Sequence, residues 1–330
     1  MQLRGGNRWS ARARLATLDC SMASHTSSGY RGRLAPSPTG FLHVGHARTF
    51  WTAFERAREA GGTLVMRMED LDPDRSRAFF AEAALEDLRW LGVQWQEGPD
   101  IGGPFAPYEQ SGRGKVYLQV WRTLLRGGFL YPCRCSRKDL ESALVAPHEG
   151  TSTGAQTNPT QDPPDDEPIY PGTCRPRQDN SGLVVEYAAN EIDKPGGFHW
   201  RFRVNDGEAI EFEDRNLGPQ RFIAGRDFGD FVVWRRDGGP SYQLACVADD
   251  AAMHITEVVR GADLLKSTAR QILLNRALGF GNPDWFHCGL AVDRRGRRLA
   301  KRHDSLSLRT LRQRGFSPKS TLSGELPVEV

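Results

Sequence analysis

The chain has 330 residues, of which 38% are hydrophobic and 26% charged, enough to bury a core in one large domain or two ordinary ones. No apolar run approaches the roughly 20 residues that a transmembrane helix needs, so no membrane span is predicted. The 44 Lys and Arg residues nearly balance the 41 Asp and Glu residues, so net charge alone does not identify a polyanionic partner.

Residues 1–29 form a basic leader. It contains four arginines and a single acid, and it lacks the apolar segment of a secretory signal. Its Arg and Ser bias is also found in transit peptides. We interpret it as a disordered leader, or as the result of a start codon assigned too early, and we expect a cytoplasmic protein.

The order strand, turn, helix, strand is predicted between residues 31 and 68. Residues 31–35 are a short strand candidate that runs into the Pro/Gly-rich turn 36–40. Apolar residues then recur at helical spacing, at Phe50, Ala53, Phe54 and Ala57. A buried strand follows at 63–68. This order is typical of a doubly wound, Rossmann-type α/β domain with a parallel sheet.

Further elements are predicted along the rest of the chain. Helical patterns cover about 78–91, 113–127 and 267–278, and short alternating segments at 200–235 favour antiparallel strands. Tyr242 to Val247 is a candidate for a buried strand. Residues 145–169 contain five prolines, five acids and no Lys or Arg, which predicts a flexible inserted loop.

The turn before the first helix contains two histidines, His43 and His46, on either side of Gly45. A helix N-terminus offers free N–H groups and a partial positive charge, and the histidines can donate hydrogen bonds to phosphate oxygens. Gly45 would let a ligand approach the backbone. The alternative is an ordinary turn with a surface histidine pair.

A basic segment lies near the C-terminus. Arg294 to Arg302 contains six cationic side chains and no acid. A glycine-containing basic loop can close over a triphosphate, with Lys301 as a point charge on phosphate. A solvated basic loop is the alternative.

The six cysteines are scattered in a chain too large to need disulfides, which indicates a reducing compartment. Cys133, Cys135 and Cys174 are a metal candidate, because tetrahedral zinc favours thiolates. The alternative is three reduced cysteines without a metal.

Taken together, the histidine-containing turn and the basic segment near the C-terminus resemble motifs of the class I aminoacyl-tRNA synthetases, specifically the glutamyl branch. The resemblance rests on Arg33 to Gly40, on the His43 to His46 match to a His-Ile-Gly-His element, and on Arg67 to Asp72. Arg298 to Arg302 matches the family's Lys-Met-Ser-Lys-Ser element. Ala300 stands where this element has Ser, and Arg298 stands where it has its first Lys. We therefore expect the activation of the amino acid by ATP to be slower or altered.

The resemblance implies roles for individual residues. His43, His46 and Lys301 would be catalytic. ATP, with magnesium, would bind at Pro36, Ser37, Gly45, His46, Arg298 and Lys301. Glutamate would bind at Arg33, Leu34, Ala35, Pro36, Ser37, Glu69, Tyr242 and Arg260. One structural zinc would be held by Cys133, Cys135, Tyr170 and Cys174. The chemistry fits, since the ammonium of glutamate needs an acid and its carboxylates suit arginines.

The resemblance also implies a domain division. A first catalytic half covers 30–130, an inserted zinc-containing, acceptor-type subdomain covers 131–235, and a second catalytic half covers 236–305. A short helical tail, 306–330, takes the place of an anticodon-binding domain.

This architecture resembles the glutamyl-Q tRNA(Asp) synthetases, which activate glutamate with ATP without tRNA and transfer it to queuosine in tRNA(Asp). We expect this activity from a monomer. The alternatives are a fragmentary glutamyl-tRNA synthetase that charges the tRNA 3′ end, and a non-catalytic paralogue that binds an amino acid or tRNA.

Overall fold

The computed structural model describes residues 29–136, 139, 169–176, 192, 194–290 and 307–323. The leader up to residue 28, residues 145–168 of the predicted insertion, and both Arg298 and Lys301 lie outside the described residues. None of the described helices is both long and apolar enough to cross a bilayer.

The described part of the chain contains nine strands and seven α-helices. The strands are β1 (Arg31–Leu34), β2 (Thr63–Met66), β3 (Leu130–Cys133), β4 (His199–Phe202), β5 (Ala209–Asp214), β6 (Gly218–Ile223), β7 (Phe231–Trp234), β8 (Glu257–Gly261) and β9 (Asp284–Cys288). The helices are α1 (Val44–Glu59), α2 (Ala78–Leu91), α3 (Gly114–Arg126), α4 (Tyr242–Ala252), α5 (Leu265–Leu278), α6 (Leu308–Gln313) and α7 (Pro318–Ser323).

The opening unit is β1, α1 and β2, and the two strands pair in parallel from Arg31 and Thr63 onward. The predicted order of strand, turn, helix and strand is confirmed, with β2 ending at Met66. The connection from α1 to β2 is tight, because a Cβ on Gly62 would lie 2.3 Å from the carbonyl oxygen of Tyr30. Only glycine fits this close approach of two backbones.

A second sheet has the strand order β6-β5-β9-β8. Strands β8 and β9 are parallel, whereas β5 and β6 form an antiparallel hairpin. Strand β8 also lies beside β1, because the Thr256 N–H donates to the Arg31 carbonyl at 2.9 Å. Arg33 donates to the Val259 carbonyl near the other end of both strands, so β1 and β8 run in the same direction. The predicted α/β class with parallel strands is therefore confirmed.

A separate antiparallel sheet has the order β3-β4-β7. The prediction of antiparallel strands at 200–235 is thus confirmed, but these strands divide between two sheets, since the hairpin β5–β6 joins β9. Behind the three-stranded sheet, Trp121 of α3 meets Trp200 of β4 edge to face, with ring centroids 5.1 Å apart. Cys133 ends β3 and places a thiol at the edge of this sheet.

The predicted strand at Tyr242 to Val247 is wrong, because these residues begin helix α4. Ser241 is the N-cap, and its hydroxyl accepts from the Leu244 N–H at 3.4 Å. The seven residues from Leu244 to Asp250 are all buried, so the segment shows no polar face that would reveal a helical period. A short apolar run of this kind is equally typical of a buried strand.

Helix α4 carries two adjacent buried acids, Asp249 and Asp250. Asp249 accepts hydrogen bonds from Gln110, Arg113 and Tyr117, at 2.6 to 2.9 Å. A buried carboxylate needs such partners because ionised groups are strongly disfavoured in an apolar interior. These bonds join α4 to α3 and leave Asp250 to face the residues that follow β2.

Candidate active site

The N-terminus of α1 carries His43, Gly45 and His46. His43 is the N-cap, and its Nδ1 accepts from the Gly45 N–H at 3.0 Å. The Nδ1 of His46 accepts from the His43 N–H at 3.3 Å, and the two rings stack with centroids 3.8 Å apart. Two histidines therefore form a reciprocal capping box, a role that Ser or Thr with Glu usually fills.

This capping arrangement sets the donors of both rings. Since Nδ1 is an acceptor in each, the proton of the neutral imidazole lies on Nε2 in both His43 and His46. The rings thus bring N–H donors to the positive end of the α1 dipole, at the edge of the sheet where β1 ends. Such an edge favours a bound anion, for which phosphate oxygens are suited.

Residues 34–37 connect β1 to this helix. The Pro36 carbonyl accepts from the Glu69 N–H at 2.9 Å, and the Leu34 carbonyl accepts from the Arg67 N–H at 2.8 Å. The side chain of Leu34 is fully buried in the apolar core, whereas Ser37 is exposed. Leu34 can therefore contribute to a ligand site only through its backbone.

Beyond the end of β2, Arg67 is fully buried among acids. It donates to Asp250 at 2.6 Å and to Glu69 at 3.1 Å. Arg67 and Glu69 therefore form an ion pair in the interior of the protein. Neither Arg67 nor Asp250 was among the predicted site residues. Arg67 belongs to the segment from Arg67 to Asp72 that supports the family resemblance, whereas no motif signal distinguished Asp250 from other acids.

Glu69 is nearly buried, and its carboxylate also accepts from the Cys246 thiol at 3.5 Å. Desolvation raises the pKa of Glu69, although Arg67 and Arg33 oppose that rise. The raised pKa means that this carboxylate is poorly compensated, so a second cation beside it would lower the free energy of its ionised form.

Arg33 lies at the same end of β1. Its Nη1 donates to the Val259 carbonyl at 2.7 Å. Its buried Nε, 3.7 Å from Asp250, has no hydrogen-bond partner among the described residues. A buried guanidinium with an unused donor can accept an anionic ligand at little further desolvation cost.

Tyr242 and Arg260 complete this cluster. Arg260 Nη1 lies 3.4 Å from the Tyr242 hydroxyl, and the guanidinium stands 5.0 Å from the centre of the Trp285 ring. Burial raises the pKa of Tyr242 well above its ordinary value, and the charges of Arg260, Glu69 and Arg33 all act on it. The structure therefore brings together the four predicted residues Arg33, Glu69, Tyr242 and Arg260.

Two residues that sequence reasoning missed lie behind Arg260. Arg260 Nε donates to His287 Nε2 at 3.2 Å, and His287 Nδ1 lies 2.6 Å from Asp214 Oδ2. His287 and Asp214 are almost completely buried. Desolvation and the Arg260 charge lower the pKa of His287 to about 4. The 73 residues that separate this pair in sequence leave no local pattern that could have revealed it.

The three predicted cysteines also converge. The sulfur atoms of Cys133, Cys135 and Cys174 all lie within 4.8 Å of one another. The Tyr170 hydroxyl is 3.4 Å from the sulfur of Cys133 and 3.6 Å from that of Cys135. Four side chains with oxygen or sulfur ligand atoms thus surround one point, an arrangement that could bind a metal ion.

The predicted site residues Arg298 and Lys301 lie outside the described residues. The described chain resumes at Ser307, which forms a β-bridge with His43. The Leu308 N–H donates to the Leu42 carbonyl at 2.7 Å.

The depressed pKa of His287 predicts a pH-dependent stability. The unfolded histidine binds a proton below about pH 6.5, whereas the folded one stays neutral down to about pH 4. The free energy of unfolding should therefore fall as pH decreases from 6.5 to 4, by about 3 kcal/mol from this residue. Urea unfolding across this range should give a flatter profile for His287→Gln than for the wild type. If the free energy of unfolding depended on pH in the same way for both proteins, the lowered pKa of His287 would be contradicted.

The comparisons with known proteins bear on this geometry. Residues 30–326 match the family model of class I tRNA synthetases (E and Q), catalytic domain. The chain is 46% identical over 296 residues to the glutamyl-Q tRNA(Asp) synthetase of Nitratidesulfovibrio vulgaris, covering 90% of this chain and 85% of the relative. It is 47% identical to the glutamyl-Q tRNA(Asp) synthetase of Symbiobacterium thermophilum, covering 88% of this chain and 84% of the relative.

Among solved structures, the glutamate-tRNA synthetase of Elizabethkingia anophelis superposes with a TM-score of 0.68 at 28% identity. The match covers 87% of this chain and 54% of that one, so the chain spans about half of that protein. The chain therefore belongs to the class I tRNA synthetases of the E and Q group, within the glutamyl-Q tRNA(Asp) synthetase branch.

Proposed function

We propose that the protein activates glutamate with ATP, without tRNA, and transfers the glutamyl group to queuosine in tRNA(Asp). The observation that carries the first step is the buried cluster of one poorly compensated acid with two arginines and a tyrosine. Glutamate has one ammonium and two carboxylates, and this cluster offers a partner of opposite charge for each.

Glu69 would receive the ammonium group of glutamate. Its raised pKa indicates that another cation beside it would be stabilising. Arg33, with an unused buried donor, and Arg260, next to the Tyr242 hydroxyl, would each receive a carboxylate. Leu34, Ala35, Pro36 and Ser37 would line the same pocket mainly through their backbone.

ATP would bind at the N-terminus of α1, against Pro36, Ser37, Gly45 and His46, with Arg298 and Lys301 on its phosphates. A carboxylate oxygen of glutamate attacks the α-phosphorus in line, and pyrophosphate leaves with the P–O bond electrons. The Nε2–H groups of His43 and His46, together with Lys301, would stabilise the charge that develops on phosphate oxygens. Magnesium, bound with the nucleotide, would neutralise part of the triphosphate charge.

Queuosine is proposed as the acceptor of the glutamyl group because two relatives are named glutamyl-Q tRNA(Asp) synthetases. They are 46% and 47% identical to this chain over most of both chains. A hydroxyl of queuosine would attack the mixed anhydride, releasing AMP. Since ATP and tRNA are both present in the cytoplasm, that compartment is the proposed one, with the protein acting as a monomer.

Exchange of labelled pyrophosphate into ATP tests the activation step. Glutamate should support exchange in the absence of tRNA, and Lys301→Ala should lower the rate by about 100-fold because a charge on the leaving group is lost. The control is Lys319→Ala, an exposed lysine of α7, which should exchange like the wild type. No exchange at millimolar glutamate would show that the proposed activation is wrong.

The position of labelled glutamate on tRNA tests the acceptor. After incubation with queuosine-containing tRNA(Asp) and ribonuclease digestion, we expect the label on the anticodon fragment. The same tRNA without queuosine is the control and should remain unlabelled. Label on the terminal adenosine would instead support charging of the tRNA 3′ end and would contradict the queuosine assignment.

One structural zinc ion is the proposed occupant of the cysteine cluster. Ligands about 2.3 Å from zinc in a tetrahedron stand about 3.8 Å apart, and the sulfurs of Cys135 and Cys174 are 3.6 Å apart. Arg201 is buried beside the cluster, with Nε 3.4 Å from the Cys133 sulfur and its guanidinium 3.9 Å from the Tyr170 ring centre. This cation would balance part of the negative charge of three thiolates and a phenolate.

Zinc held by Cys133, Cys135, Tyr170 and Cys174 would join the edge of the β3-β4-β7 sheet to the loop at 170–174. With four protein ligands it would have no open position for water, so its role would be structural. The cluster and this sheet would form the inserted subdomain at 131–235, between the catalytic halves 30–130 and 236–305.

Metal content per chain tests the zinc proposal. The purified wild type should contain about one zinc per chain, and Cys135→Ser should lose most of it, because a neutral hydroxyl binds zinc poorly. Cys288→Ser is a matched control outside the cluster and should retain its zinc. A Cys135→Ser protein with full zinc content would refute this ligand set.

A further inference from the structure

Behind the proposed glutamate pocket, Asp214, His287 and Arg260 form a continuous line of buried hydrogen bonds. They lie on three adjacent strands, β5, β9 and β8. The Asp214–His287 bond is 2.6 Å and the His287–Arg260 bond is 3.2 Å. The activation chemistry proposed above uses Arg260 and assigns no role to the other two residues.

The bonds fix the state of the His287 ring. Arg260 Nε carries a proton and can only donate, so His287 Nε2 must be the acceptor. The proton of the neutral ring therefore lies on Nδ1 and is donated to Asp214 Oδ2. An imidazolium would present a proton to the guanidinium and repel it, which agrees with the lowered pKa of His287.

Asp214 is itself held in one orientation. Its Oδ1 accepts from the N–H groups of Asn216 and Leu217, at 3.1 and 2.9 Å. The backbone N–H of His287 donates to the same carboxylate, at 3.1 Å from Oδ2. Backbone donors thus orient the carboxylate, and the carboxylate orients the imidazole.

The result is a fixed guanidinium plane at Arg260. Nε is bound to His287, Nη2 donates to the Thr268 hydroxyl at 2.7 Å, and Nη1 lies near the Tyr242 hydroxyl. These three contacts use three of the five N–H groups, so one remains on Nη1 and one on Nη2. Two N–H groups at the end of one planar guanidinium match the two oxygens of a carboxylate.

We infer that Asp214 and His287 are positioning residues, which hold Arg260 in the orientation that receives a carboxylate of the amino acid substrate. This inference rests on the proposed function, since it deepens the role of Arg260 in glutamate binding. Neither residue touches the substrate; Asp214 selects the His287 tautomer, and His287 orients the guanidinium.

Asp214→Asn is the sharpest test. The amide oxygen of the new side chain would take the place of Oδ1 toward the backbone N–H groups, and its NH₂ would face His287 Nδ1. The ring would then carry its proton on Nε2, which lies 3.1 Å from the Thr268 hydroxyl, and Nε2 could no longer accept from Arg260 Nε. We expect the KM for glutamate in pyrophosphate exchange to rise on the order of tenfold, with the KM for ATP unchanged. Asp284→Asn, an exposed acid on β9, is the matched control and should keep both values.

A pair of His287 variants separates positioning from packing. His287→Phe fills the space without an acceptor and should raise the glutamate KM as Asp214→Asn does. His287→Gln brings an amide oxygen to about the reach of Nε2 and should restore much of the affinity. If both variants raise the glutamate KM equally while melting temperatures stay unchanged, the acceptor at this position is irrelevant and the inference is overturned.

A spectroscopic measurement on the wild type does not depend on the folding of any variant. Nitrogen-15 shifts of His287 at pH 7 should report a neutral ring with its proton on Nδ1, with or without glutamate. A proton on Nε2, or an imidazolium, would overturn this inference and leave the proposed function intact.

A wild type that neither binds nor activates glutamate would overturn the proposed function and this inference with it. An active wild type with an unchanged glutamate KM in Asp214→Asn would overturn only the positioning role.

Discussion

Three arginines, Arg33, Arg67 and Arg260, are almost completely buried where the parallel strands end. Acids surround Arg33 and Arg67, whereas the partners of Arg260 are neutral side chains. A buried guanidinium without acceptors would destabilise the fold by several kcal/mol. Arg67 donates from its two terminal nitrogens to Asp250 and Glu69, and its Nε has no hydrogen-bond partner among the described residues. Arg33 and Arg260 also have N–H groups that no described residue accepts, and Glu69 remains poorly compensated. Charges that the fold leaves incompletely paired are the ones that a zwitterionic ligand can complete.

The orientation of helix α4 directs one of its two buried acids, Asp249, into the core and the other, Asp250, toward the candidate pocket. Adjacent residues on a helix point about 100° apart, so Asp249 is directed to Arg113 and α3 while Asp250 is directed to Arg67. Tyr242, Cys246 and Asp250 recur every four residues and share one face, which is the face turned toward Glu69 and Arg260. One helix therefore connects the hydrophobic core, the buried ion pairs and the candidate pocket.

Local signals account for what the sequence could predict. The opening unit could be predicted because a Pro/Gly turn separates a strand from a helix with a clear apolar period, and Cys133, Cys135 and Cys174 were a metal candidate because tetrahedral zinc favours thiolates. Helix α4 was misassigned as a strand because burial on all sides removes the period. Asp214 and His287 could not be found, since their relation depends on strand neighbours that are far apart in the chain. Tyr170 came from the family resemblance alone, and the structure brings its hydroxyl to 3.4 Å from the Cys133 sulfur.

The orientation of Asp214 by backbone N–H groups has an evolutionary consequence. The histidine tautomer depends on the carboxylate, and the carboxylate in turn accepts from both the imidazole and the backbone N–H groups of Asn216 and Leu217, so each position constrains the other. A single substitution at either position leaves a buried polar group without its partner. Neutral drift at this pair would therefore require two coordinated changes, so we expect it to change more slowly than the exposed positions of the β5–β6 hairpin.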